Sequence, residues 1–291
     1  MRSVPAERHG RNSTSRHETM QSAKRVLLTG ATGYLGRFLR KVLLHHGADV
    51  VTLGRSDADL TVDLGDLAAL ESALDSAAVD FALHAGALSQ MGVCAADPAS
   101  AERVNGDASG LIAERFPTLF VSTDLVFDGA SAPYVAGASP APLSAYGRSK
   151  ARGEERVRAA GGLVVRVPLL FGPSHDGLRG ASDMVRRALA GGGRVGLFVN
   201  EFRTPLHVAD AAASLVRLLD AVPDRAGSVL HVAGPERVSR HGFAERFAAA
   251  HGFDLECVDA VESTDASRPR DVSLVSDVES RRSLDAMLRD S

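Results

Sequence analysis

Tyr146 and Lys150 stand four residues apart in Tyr146-Gly147-Arg148-Ser149-Lys150, a spacing that a helix places on one face. A free phenol, with a pKa of about 10, is a poor acid or base near neutrality, and a neighbouring ammonium stabilises the phenolate. The pair reads as a proton-transfer site, in which Lys150 can also hold the ribose hydroxyls of a nicotinamide cofactor. A hydroxyl from Ser122 or Thr123, at the end of a predicted central strand, can bind and polarise a substrate carbonyl oxygen.

A second constellation lies upstream. Gly30-Ala31-Thr32-Gly33-Tyr34-Leu35-Gly36 follows the apolar run Val26-Leu27-Leu28 and opens a segment with Leu35, Phe38, Leu39, Val42 and Leu43 at helical spacing. In this strand-loop-helix context the backbone of Gly30, Thr32, Gly33, Tyr34, Leu35 and Gly36 is expected to cradle a pyrophosphate. After the second strand the chain carries Gly54-Arg55-Ser56 rather than an acidic residue, so a guanidinium meets the adenosine ribose and NADP(H) is favoured over NAD(H), with Asp57 and Asp59 nearby as counter-evidence. Asp63, followed by Leu64, reads either as an adenine contact or as a turn or helix-capping carboxylate. Ala85, Gly86 and Ala87 are small where backbone must pass beside the cofactor, and His84 before them reads as a packing residue.

These groups require a scaffold of alternating strands and helices. Strands are expected at Asp49–Leu53, near Phe81–His84, at Leu119–Ser122 and at Leu163–Val167, with helices carrying Leu67, Leu70 and Leu74 and spanning Ala145–Ala160. This is an α/β, doubly wound parallel Rossmann sheet with a smaller C-terminal substrate lobe, binding its ligands at the strands' carboxyl ends. Residues 1–23 read as a disordered extension, 24–166 as the dinucleotide-binding domain and 167–291 mainly as the lobe. A returning helix at Val208–Leu219 and a strand near Leu230–Ala233 rejoin the sheet, and Gly191-Gly192-Gly193 reads as a turn within the lobe.

Composition narrows the class. The formal charge of −3 argues against a nucleic-acid surface and points to small-molecule partners. Cys94 and Cys257 lack ligand or disulfide spacing and read as ordinary thiols, with no metal required. No apolar run reaches the roughly 20 residues of a membrane span and no secretory leader is recognisable, so a cytoplasmic protein is expected. A homodimer is compatible with a soluble enzyme of this kind.

Collectively these residues resemble the extended short-chain dehydrogenase/reductase family, from about Lys24 to nearly the C-terminus. Ser122-Thr123-Asp124-Leu125-Val126-Phe127-Asp128-Gly129 is similar to the STDYVFDG segment of dTDP-4-dehydrorhamnose reductases, and Tyr146-Gly147-x-Ser149-Lys150 and Arg268-Pro269-Arg270 extend the match. The resemblance implies catalytic roles for Thr123, with Ser122 as the other candidate, and for Tyr146 and Lys150. It also implies that Asn105 of Val104-Asn105 orders the active-site backbone and water; a helix cap is the alternative. Asp124, Leu125, Leu169, Arg203 and Arg268 fall at substrate-lobe positions. Pro168 follows the strand expected beside the nicotinamide carboxamide. Leu125 replaces a tyrosine, and Val167–Gly172 lacks the tryptophan of the reductases' RTSWVYG segment.

The expected activity is reduction of a ketone on a nucleotide-activated keto-sugar or related polyhydroxylated compound, with hydride from nicotinamide and the proton from Tyr146. A sugar-nucleotide epimerase with retained cofactor is the alternative enzyme. The regulatory β subunit of methionine adenosyltransferase resembles the same reductases, which makes a non-catalytic dinucleotide-binding subunit the alternative outside enzymes. A dehydratase is disfavoured because Leu125, not glutamate, follows Asp124.

Overall fold

The computed structural model describes residues 24–191 and 193–291, so the expected disordered extension at 1–23 and Gly192 of the triglycine turn lie outside the described residues. In chain order the elements are β1 (Arg25–Thr29), α1 (Tyr34–His45), β2 (Asp49–Gly54), β3 (Leu60–Thr61), α2 (Leu67–Ser76), β4 (Phe81–His84), α3 (Met91–Ala96) and α4 (Pro98–Glu102). A π-helical turn (Arg103–Asp107) leads into α5 (Ala108–Arg115), β5 (Thr118–Thr123), a 3-10 turn (Asp124–Val126), α6 (Ala145–Ala159), β6 (Leu163–Val167) and β7 (Leu170–Phe171). The remainder comprises α7 (Ala181–Ala190), β8 (Val195–Phe198), β9 (Phe202–Arg203), β10 (Leu206–His207), α8 (Val208–Leu219), β11 (Val229–His231), β12 (Val238–Ser239), α9 (Arg240–His251), β13 (Val258–Val261) and α10 (Leu284–Arg289).

Seven strands pair in parallel in the order β11-β6-β5-β4-β1-β2-β3. The order reverses between β1 and β4, which opens a crevice at the carboxyl ends of these two strands. Strands buried on both faces read as continuous apolar runs, and every residue of β5 and β6 is buried. One large apolar cluster joins Val26, Leu28, Leu83, Leu119 and Val165 to α1, α8 and the lobe helices α7 and α9; a second packs Leu27, Leu53 and Ala82 against α2 and α5.

The lobe is held by short pairings: β7 with β10, β9 with β12 and β8 with β13. Two of its segments also return to the sheet, since α8 packs on α1 and β11 completes the sheet beside β6. The returning strand ends at His231, two residues earlier than the sequence suggests. The two-residue β3, absent from the sequence reading, exists because the Asp59 carboxylate accepts from both the backbone and the hydroxyl of Thr52 at 2.9 and 2.8 Å and folds the turn back onto β2.

Candidate active site

A cleft of about 1200 Å³ runs from the glycine loop across the sheet's carboxyl edge to the lobe. At the cofactor end Gly30 turns the chain at φ 70°, a left-handed conformation that glycine adopts readily, and its carbonyl accepts from Gly33 N at 2.9 Å. A Cβ on Gly36 would collide with that carbonyl, so the first turn of α1 can sit on the loop only as glycine. Gly33 caps α1 without a side-chain hydrogen bond, which leaves the first-turn N–H groups directed at an anion. Gly86 N donates to Thr29 Oγ1 at 2.9 Å, holding the loop Ala85–Ala87 against Gly30. These features fit a bound dinucleotide.

Other expected cofactor residues divide. Arg55, Leu64, Ala85, Gly86, Ala87 and Pro168 line the cleft, as do Thr32, Tyr34 and Leu35 of the loop. Ser56 does not; it lies exposed in the segment between β2 and β3. The Asp63 carboxylate accepts from Gly65 N at 2.8 Å, a turn contact made at the cleft's edge, while Asp66 caps α2. Tyr34 has a structural tie as well: its hydroxyl donates to Gly172 O at 2.8 Å, joining the glycine loop to the lobe. His84 is fully buried between Thr29 Oγ1 and Ser109 Oγ, at 2.6 and 3.0 Å, and burial lowers its pKa to about 3, so it is a neutral packing residue.

At the centre β5 delivers Thr123 and α6 delivers Tyr146 and Lys150 to the same wall of the cleft. Helix α6 lies very close to its neighbours, because Cβ atoms on Gly147 and Gly153 would strike the carbonyls of Leu125 and Asn105. Ser144 caps it through Gly147 N at 3.0 Å. Asn105, within the π-helical turn rather than at a cap, spends its amide on Leu88 N (2.8 Å), Leu88 O (3.0 Å) and Ser149 Oγ (2.9 Å). Asn105 thus joins α6 to the loop after β4.

Both hydroxyl candidates line the cleft and both have protein partners: Ser122 donates to the buried Glu154 carboxylate at 2.5 Å and Thr123 to Asp124 Oδ1 at 3.1 Å. The Tyr146 phenol lies above its ordinary pKa: burial pushes it up, the Asp124 carboxylate adds to this, and the Thr123 hydroxyl opposes. Lys150, only 2% exposed, donates to Val121 O at 2.8 Å and lies 3.8 Å over the Phe120 ring; burial pushes its ammonium down to about 7 while Glu154 supports the charge. Burial therefore favours the protonated phenol at Tyr146.

The lobe end carries Asp124, Leu125, Leu169, Arg203 and Arg268, joined by two residues the sequence reading missed, Glu201 and Arg240. Glu201 is fully buried and receives Arg268 in a bidentate pair at 2.5 and 2.9 Å. Arg203 lies 3.5 Å from Asp124 and 3.9 Å from Glu201. Burial, then repulsion from Arg203, lowers the Arg240 pKa to about 10, and burial raises that of Asp124, whose Oδ2 has no hydrogen-bond partner. Three guanidinium groups therefore face two carboxylates, one of them held toward its neutral form. The cleft's basic lining also includes Arg37, which follows Gly36 directly in sequence and escaped notice there.

Comparison with known proteins follows the same outline. The chain is 32% identical over 260 residues to the probable low-salt glycan biosynthesis reductase Agl14 of Haloferax volcanii, covering 84% of this chain and 86% of the relative. It is 32% identical over 274 residues to dTDP-4-dehydrorhamnose reductase of Mycobacterium tuberculosis, covering 89% and 86%. The crystal structure of dTDP-4-dehydrorhamnose reductase from Bacillus anthracis in complex with NADP superposes with a TM-score of 0.82 at 20% identity, over 93% of this chain and 98% of that one, and shares its fold. A family model described as the RmlD substrate binding domain matches residues 24–287, and the chain belongs to that family.

Proposed function

We propose that the protein is an NADP(H)-dependent ketoreductase that reduces a keto group on a nucleotide-activated sugar. The observation that carries this reading is the meeting of Thr123, Tyr146 and Lys150 midway along one cleft, between a dinucleotide cradle and a cluster of arginines. Family membership, and relatives named as reductases, support the redox class. Arg55 after the second strand and Arg37, both lining the cleft, support NADP(H) over NAD(H); Asp59 does not oppose it, being spent on Thr52.

A nicotinamide cofactor bound along the glycine loop supplies the hydride. The Thr123 hydroxyl holds the substrate carbonyl oxygen and Tyr146 gives it a proton as the alkoxide forms. Lys150 holds the nicotinamide ribose and places positive charge behind the reacting oxygen. At the other end the excess guanidinium charge of Arg203, Arg240 and Arg268 suits a diphosphate, and Asp124 Oδ2, which accepts no hydrogen bond, suits a sugar hydroxyl. Leu125 and Leu169 shape an apolar floor where the related reductases carry aromatic rings, so the sugar need not be the rhamnose precursor.

The test is spectrophotometric consumption of NADPH and NADH against a panel of keto-sugar nucleotides, with Tyr146→Phe as control. Net consumption that the control loses by at least about 100-fold, while still binding cofactor, is expected. Product formed without net consumption would establish an epimerase instead, and cofactor binding without turnover across the panel a regulatory subunit.

A further inference from the structure

Beneath the proton-transfer site lies a charged pair with no surface role. Glu154 and Arg166 are 2% and 1% exposed, and Arg166 Nε and Nη2 clamp the carboxylate at 2.9 and 2.6 Å. Ser122 donates to the same carboxylate from β5. Arg166 Nη1 donates to Ala136 O at 3.2 Å, lies 3.3 Å from His231 Nε2 on β11, and the guanidinium covers the Phe127 ring at 4.8 Å. The network thus joins β5, α6, β6, β11 and the segment before α6. A buried ion pair adds little to stability compared with apolar residues of similar volume, so stability alone is a weak account of it.

Glu154 lies one helical turn beyond Lys150 on the same face of α6. We propose that Glu154 and Arg166 are positioning residues for the proton-transfer site: through Ser122 they fix α6 against β5, and the Glu154 carboxylate keeps the buried Lys150 an ammonium. This rests on the proposed function only where turnover is concerned. Lys150 has one hydrogen-bond acceptor, the Val121 carbonyl, and otherwise an aromatic face. The groups facing it are Tyr146 and Glu154 on α6, neutral His84 on β4, and Arg166 of β6 behind Glu154, with Asp124 and Cys94 beyond Tyr146. Burial pulls the lysine down to about 7 and Glu154 is the group that opposes it. Loss of Glu154 must therefore move Lys150 toward the neutral amine at a lower pH.

Lys24, Lys41 and Lys150 are the chain's only lysines, so NMR of protein labelled at the lysine ε-carbon resolves the question without cofactor or turnover. Lys150→Met assigns the signal. The parent is expected to titrate near neutrality. In Glu154→Gln the midpoint is expected to fall by about one to two pH units, as for removal of a charge one turn away at intermediate dielectric. Where the stranded Arg166 charge prevents that variant from folding, Glu154→Leu with Arg166→Met restores a neutral, filled interior and is expected to lower the midpoint by a smaller amount, because the more distant Arg166 cation leaves together with the carboxylate. An unchanged midpoint in either folded variant overturns the charge role. Ser122→Ala keeps the pair but cuts its tie to β5, and is expected to lower kcat about fivefold with NADPH affinity kept; kcat equal to the parent's overturns the positioning role. A parent with no turnover on any keto-sugar nucleotide sinks the proposed reaction and leaves the Lys150 titration as the test of this inference.

Discussion

Arg55→Ala is expected to cost affinity for NADPH and to spare NADH. A hydrogen bond to a charged group contributes about 1.5 to 3 kcal/mol. Arg55 is exposed at the lip of the cleft, where solvent screening places it at the lower end, and about 1.5 kcal/mol corresponds to a loss of roughly tenfold. No described side chain competes for the guanidinium: Asp59 is held by Thr52, and no ion pair of Arg55 occurs among the described residues. Because Arg37 lines the same cleft, the double variant Arg37→Ala/Arg55→Ala should lose more NADPH affinity than either single one. The chain contains no tryptophan, so the fluorescence of the reduced nicotinamide itself reports binding without energy transfer from indole. The NADPH deficit should shrink as salt is raised, since an exposed charge pair is screened beyond a Debye length of about 10 Å at 0.1 M. Equal losses for NADPH and NADH would refute the reasoning, because Arg55 would then touch something common to both cofactors.

Thr123→Val should lower kcat at least about tenfold with cofactor affinity unchanged, measured by steady-state rates alongside an NADPH titration; unaltered kcat would remove its hydroxyl from the carbonyl site. Gly36→Ala should destabilise the protein by about 1 to 3 kcal/mol in urea melts, since the added Cβ meets the Gly30 carbonyl, and should weaken both cofactors alike. Glu201→Gln should cost about 3 kcal/mol in the same melts, because it strands Arg268 and Arg203 without their buried counter-charge. Burial raises the Glu201 pKa but Arg268, then Arg203 and Arg240, outweigh it and leave the pKa low. Its contribution is therefore full above the ordinary carboxylate range and lost as pH falls through the lowered value. A parent and a Glu201→Gln variant with parallel stability curves down the acid range would contradict that assignment.

The elements that position the cofactor were legible because local chemistry determines them. Val26-Leu27-Leu28 before three glycines, and Leu67, Leu70 and Leu74 at helical spacing, needed no distant partner to be read. The lobe was less legible, since pairs such as β9 with β12 consist of two residues each and are defined only by contact across the chain. The π-helical turn around Asn105 follows from packing against α6 and has no signature in the sequence. Glu154, four residues after Lys150, was within reach of a helical-face argument. Arg240 was not: it heads a lobe helix and meets Arg203 and Glu201 only through the fold.

The seventh strand of the sheet has a consequence for how the chain is made. Strand β11 closes the edge of β6 only after the intervening lobe residues have been synthesised. Until then the apolar Val164 and Val165 sit on an open strand, a template for pairing with another nascent chain. Shortening the gene after β6 to obtain a minimal dinucleotide domain should therefore yield aggregate, whereas a version keeping Leu206–His231 behind a short linker restores both α8 and the edge strand.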